Sequence, residues 1–286
     1  MSQAAAILER PAPRKAAVRA ALTFIGRTEG KPVFHSSAYT GRGPEALFPT
    51  ETHEVEIRDL RPRAGLLSLD REGFVLRRHR TSVADFYDDD AVRDRYHAEI
   101  EALLRRELGA SRVIVFDTTR RSDAGGGAVN PDGLRGPATR VHVDYTETSG
   151  PRRLRDLVGD AEAHRLFASG ARILQVNVWR PVSGPVRRSP LALADASSVR
   201  PADLVATDQI FPDRVGEIYH LRHHPDQRWY YAPEMTPDEV LLIKGWDSDP
   251  TRARFTPHGA FQLPETPADA PPRESIELRT YVVIEP

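Results

Sequence analysis

The chain has 286 residues, 40% of them apolar, a formal net charge of −1 and no cysteine. That length can bury a large core without disulfide staples, and the missing cysteines exclude thiolate zinc sites, iron–sulfur clusters and a cysteine nucleophile. Without thiolates, any metal site must be built from histidine and carboxylate, and the near-neutral charge leaves no electrostatic footprint for nucleic acid or an anionic membrane surface.

The basic residues are almost all arginine, with lysine only at positions 15, 31 and 244. Fixed ion pairs are one reading of that bias, and genomic base composition is the other. No apolar run approaches the roughly 18–20 residues that span a bilayer, and residues 1–18 lack the apolar core of a signal peptide. The expectation is a soluble cytoplasmic protein.

In chain order, residues 1–17 are rich in Ala, Pro, Arg and Lys and read as a flexible arm. From 18 to about 80, short apolar patches alternate with turn residues, as strands do, although 19–26 would also start a helix. The segment 90–108 is the clearest helix: Val92, Tyr96, Ile100, Leu103 and Leu104 recur at steps of three and four. Asp88, Asp89 and Asp90 suit its N-terminus and Gly109 its end. Val113 to Phe116 reads as a buried strand, and 120–137, with three consecutive glycines, as a flexible loop that would serve as a flap over a pocket. A second helix is expected over about 151–169, then strands at 172–179, 191–194, 217–221, 228–231, 239–244 and 275–284. Without repeats or linkers, this pattern indicates a single domain over 18–286, mainly β with flanking helices. Segment 18–110 would pack on a jelly-roll core at 111–286.

The segment Arg140-Val141-His142-Val143-Asp144 carries the chemistry. On an extended strand, side chains alternate between faces, so His142 and Asp144 point the same way. A distant histidine would complete a facial metal site with open positions, the arrangement that suits non-haem Fe(II); His258 is the best candidate. Arg273 and Ser275 come fifteen residues later, two apart at a strand start, and together can grip the far carboxylate of an oxoacid that chelates the metal. His220, His223 and His224 form a rival cluster without a carboxylate at the right spacing. His35, His53, His79, His97 and His164 stand alone and read as surface or hydrogen-bonded residues. Gln175, Asn177 and Trp179 share one strand face: Gln175 and Asn177 are either co-substrate contacts or satisfied core residues. Arg180 lies opposite them, in a structural ion pair. Tyr145 reads as packing, Lys244 and Asp247 as an exposed strand end, and Arg120, Arg121 and Trp246 as substrate contacts.

With these residues in place, the sequence resembles the 2-oxoglutarate/Fe(II)-dependent oxygenases, within them the CmcJ-like group with its AsaB-type hydroxylase/desaturases. The likeness rests on Val141–Thr146, 177–186, 190–195, 216–219, 228–231, 238–244, 253–258 and 271–277, and so covers most of 112–286. It implies a double-stranded β-helix, Fe(II) held by His142, Asp144 and His258, and 2-oxoglutarate held by Arg273 with Ser275; Asn177 is a further co-substrate candidate. The cofactor and co-substrates would be Fe(II), 2-oxoglutarate and O2, and the reaction the hydroxylation of a C–H bond in a small natural-product or amino-acid-derived molecule. Desaturation, ring formation, and a non-oxidising accessory or binding protein of the same fold are the alternatives. A homodimer or a partner biosynthetic enzyme is compatible with the resemblance.

Overall fold

The small sheet sets the architecture, because each of its strands alternates between a helix-packed face and a face turned to the interior. In this computed structural model, which describes residues 16–286, its order is Phe74–Arg78, Glu239–Asp247, Arg172–Pro181, Glu274–Ile284, Arg112–Ser122, antiparallel throughout. On one face Leu174, Val176, Val178, Ile276, Leu278 and Val282 pack against Tyr96, Ile100, Leu103 and Leu104 of the helical segment. On the other lie Gln175, Asn177 and Trp179, in register with Tyr281, Arg279 and Glu277.

The large sheet curls opposite. Its order is Ala17–Ile25, Thr50–Asp59, Trp229–Tyr231, Leu191–Ala194, His258–Ala260, His142–Val143, Val215–Leu221, Leu204–Ile210, Val33–His35, Glu45–Ala46. Two facing sheets with flanking helices make the expected jelly roll. The N-terminal segment supplies edge strands to both sheets. The expected arm at 1–17 falls outside the described residues except for Ala16 and Ala17, and Ala17 already opens a strand. The alternative of a helix over 19–26 is thereby set aside.

The helix near 90 starts where Asp88 accepts a hydrogen bond from the Ala91 amide. It runs through a π-helical turn at Val92–Tyr96 into His97–Leu108, and Gly109 ends it with a left-handed φ of 69°. Two expectations differ from what is observed. The single helix over 151–169 is two, Ser149–Val158 and Asp160–Ala168, because Gly159 (φ 83°) breaks the run. The loop 120–137 contains structure: the preceding strand continues to Ser122, and Ala128–Asn130 pairs with Gly133–Arg135 as a hairpin. Among the described residues no helix is long and apolar enough to cross a membrane.

Candidate active site

Cross-strand register brings the two distant histidines together. His258 lies directly opposite His142 in adjacent antiparallel strands, with ring centroids 4.6 Å apart. Each ring is oriented by its own backbone: His142 Nδ1 donates to the Arg140 carbonyl at 2.8 Å and His258 Nδ1 to the Thr256 carbonyl at 3.0 Å. That bonding fixes the tautomer and leaves both Nε2 lone pairs free. Asp144 Oδ1 is 3.6 Å from His142 Nε2. One ligand atom from each of the three residues falls within 4.8 Å of the other two, and no other such group occurs among the described residues. Burial, with His258 alongside, pushes His142 down to about 3, so it is neutral at pH 7. Two imidazoles and one carboxylate are the donor set for non-haem Fe(II).

Asp144 is itself held from the small sheet. Its Oδ2 accepts hydrogen bonds from Asn177 Nδ2 at 2.6 Å and Arg279 Nε at 3.1 Å. Gln175 Nε2 in turn donates to Asn177 Oδ1 at 2.6 Å. Asn177 and Arg279 are register partners, which is why both reach one carboxylate. Burial alone would raise the Asp144 carboxyl, but the Arg279 guanidinium, helped by the hydrogen bond from Asn177, holds it well below the usual carboxylate range. Arg279 also pairs with Asp117 at 2.5 Å and Glu277 at 2.9 Å.

A narrow cleft runs from His142 and His258 past Leu191 and Trp179 to Arg273. Arg273 is buried, its guanidinium 5.8 Å from the Trp179 ring centroid. Its Nη1 donates to Ser275 Oγ at 2.6 Å, while Nε and Nη2 are buried without any partner. Burial, with Arg121 nearby, lowers Arg273 to about 10, so it stays charged at neutral pH. An unpaired buried cation is costly unless a ligand compensates it. Two open donors beside a serine hydroxyl fit one carboxylate of a dicarboxylic acid.

Beyond the triad the interior opens into a cavity of about 1630 Å³. The hairpin 128–135, the segment 36–44 and the loop 209–217 surround it. Of the three substrate candidates, Arg121 lines both this cavity and the cleft. Arg120 faces away: its Nε donates to the Phe86 carbonyl and its Nη2 to Asp89. Strand alternation puts these neighbours on opposite faces. Trp246 is core, packed beside Leu154 and Tyr281. Asn177 reaches the Asp144 carboxylate and not the cleft around Arg273.

Other expectations also change. Lys244 and Asp247 are fully buried and paired at 2.6 Å, not an exposed strand end. Arg180 is buried, but its donors go to Tyr96 Oη, the ring and carbonyl of His79 and the Pro237 carbonyl, with no carboxylate among them. His220 bonds Thr207 Oγ1, His223 stacks on His53, and His224 sits near Asp226; they do not converge. Tyr145 packs against Phe116 and Tyr281, as expected, and also lines the cavity. Arg279 was missed, although it shares the alternation that singles out Arg273 and Ser275.

A family model described as an oxidoreductase/YMDC permease-like domain matches residues 22–283. The chain is 35% identical over 254 residues to the hydroxylase/desaturase efuI of Hormonema carpetanum, covering 81% of this chain and 83% of that one. It is 32% identical over 246 residues to the Fe(II)/2-oxoglutarate-dependent dioxygenase nvfI of Aspergillus novofumigatus, covering 83% and 86%. A solved structure of the iron and alpha-ketoglutarate-dependent endoperoxidase NvfI superimposes with a TM-score of 0.84 at 28% identity, over 96% of this chain and all of that one. With this fold and donor set, the chain belongs to the hydroxylase/desaturase family of Fe(II)/2-oxoglutarate-dependent dioxygenases.

Proposed function

We propose that the protein oxidises a C–H bond of a small natural-product or amino-acid-derived molecule, with hydroxylation as the outcome. His142, Asp144 and His258 would hold Fe(II) through two Nε2 atoms and Oδ1. Arg273, with Ser275, would hold the far carboxylate of 2-oxoglutarate. When bound, the iron supplies the oxidative chemistry: 2-oxoglutarate and O2 yield succinate, CO2 and an oxidant that attacks a C–H bond. The protein's part is orientation. Backbone carbonyls aim both imidazoles, Asn177 and Arg279 fix the carboxylate, and Trp179 walls the cleft beneath the guanidinium. The single observation that carries this reading is the pair of unpartnered Arg273 nitrogens in the cleft that also holds His142 and His258.

Desaturation or ring formation is the second reading, favoured by the names of the relatives, one a hydroxylase/desaturase and one an endoperoxidase. A non-oxidising accessory protein of this fold would have no use for an intact donor set beside an open guanidinium. The composition, near neutral and free of cysteine, fits a cytoplasmic enzyme.

The test is succinate release from 2-oxoglutarate with Fe(II) under air. Arg273→Gln should raise the KM for 2-oxoglutarate by roughly 30-fold or more, about 2 kcal/mol, the usual cost of truncating one partner of a buried charged pair. An unchanged KM would remove Arg273 from the co-substrate site.

A further inference from the structure

The open cavity beside the triad is walled by aromatic residues, among them Phe34, Phe116, Tyr145 and Phe211, and by arginines. Most of these arginines are engaged. Arg42, Arg135, Arg153, Arg214 and Arg279 each lie within 4.0 Å of a carboxylate, and Arg121 and Arg152 donate to backbone carbonyls. Arg140 differs. Its Nε is buried without a hydrogen-bond partner, no carboxylate pairs with it, and its guanidinium lies 4.8 Å from the Phe34 ring centroid.

We propose that the molecule oxidised in this cavity carries a carboxylate, and that Arg140 binds it. The inference rests on the oxygenase reading proposed above, and takes the cavity that His142 and Asp144 line as the place of the molecule to be oxidised. Arg140 is half-buried on the cavity wall, where a guanidinium loses hydration and gains no ion pair in return, a cost that a bound anion would offset. Its planar fork suits a carboxylate in two parallel hydrogen bonds. The backbone beneath it is fixed: the Val141 amide donates to the Thr23 carbonyl at 2.9 Å, and the Arg140 carbonyl orients the His142 ring. Two residues of extended chain separate Arg140 from His142, roughly 7 Å. An acid gripped there would hold its carboxylate a short, fixed reach from the metal ligands, with its apolar body against the aromatic wall. Arg140 thus chooses which acids enter and which of their carbons faces the triad. The substrate class is an apolar, ring-bearing carboxylic acid.

The test uses the full chain without iron or 2-oxoglutarate, so its outcome is independent of whether the triad binds metal. Equilibrium dialysis compares 1-naphthoate, its methyl ester and 1-naphthyl phosphate. The wild type should bind the acid about tenfold or more tightly than the ester. Arg140→Gln should abolish that preference and leave ester binding unchanged, while Arg273→Gln should preserve it. Equal binding of acid and ester by the wild type, or no binding of either, would overturn the proposal. So would a preference that survives Arg140→Gln, or one that Arg273→Gln removes. Tighter binding of the phosphate than of the naphthoate would overturn the carboxylate assignment. If Arg140→Gln does not fold, Arg140→Lys decides: losing the fork should weaken the preference several-fold, and an undiminished preference would refute the role.

Discussion

At the scale of single residues, Asp144 is one end of a hydrogen-bonded chain through Asn177 to Gln175, braced from the side by Arg279. A carboxylate so held would lose little freedom on binding a metal. Asn177→Ala should therefore weaken Fe(II) affinity by about 10- to 100-fold, read by competition with a chelating dye; unchanged affinity would mean that the bond does not tune the ligand. The pattern of two residues per repeat made much of this legible. It placed His142 and Asp144 together, Arg273 with Ser275, and Gln175 with Asn177 and Trp179. Alternation does not say which neighbour faces inward when both are arginine, so Arg120 and Arg121 were indistinguishable until their register against Ile276 and Ser275 was known. Nor does it reveal contacts between sheets, which is why Asn177 read as a co-substrate contact and Arg279 went unnoticed.

At the scale of elements, a cluster of charges ties the segment before Phe74–Arg78 to two central strands. Asp70 lies 3.2 Å from Lys244 Nζ and accepts from Arg172, and Arg172 and Lys244 both reach Asp247 at 2.6 Å. Burial raises the Asp70 carboxyl, but Arg172 and Lys244 outweigh it and hold the group at about 2. A depressed carboxyl contributes stability that is complete above its unfolded value of about 3.8 and is lost as pH falls towards 2. Asp70→Asn should cost about 1–3 kcal/mol at pH 7, less than the 3–5 of a fully buried pair because a third of the side chain is exposed. The difference should shrink to a small remainder near pH 2, where the folded carboxyl is half protonated; chemical denaturation at both pH values checks it, and a pH-independent difference would refute the linkage. The cluster was invisible in sequence because Lys244 and Asp247 end an apolar run, where charges ordinarily meet water. Helix–sheet packing gives a second check. A Cβ at Gly150 would come 2.5 Å from the Trp246 ring, so Gly150→Ala should destabilise by about 1–3 kcal/mol through overpacking. A denaturation midpoint equal to that of the wild type would show that the ring gives way.

At the scale of the whole molecule, the site exists because two sheets face each other with complementary halves. The large sheet brings the two histidines into direct register, the small sheet supplies Asn177 and Arg279, and Arg273 sits just before its Glu274–Ile284 strand. The jelly roll was legible from many short strands following the one that carries His142 and Asp144, and the pairing of His142 with His258 from chemistry alone. The cavity was less legible. Its walls come from loops whose composition marks turns but does not say what they enclose, and the flexible loop expected over the glycines contains a hairpin. The proposed chemistry requires that three side chains hold one iron while Arg273 anchors 2-oxoglutarate beside it. Anaerobic titration with Fe(II) and 2-oxoglutarate, followed by the visible charge-transfer absorption of the chelate, tests this most directly. Saturation at one iron per chain is expected in the wild type, no absorption in His142→Ala, Asp144→Ala or His258→Ala, and a much weaker 2-oxoglutarate affinity in Arg273→Gln. Full absorption in any of the three ligand variants, or none in the wild type, would contradict it.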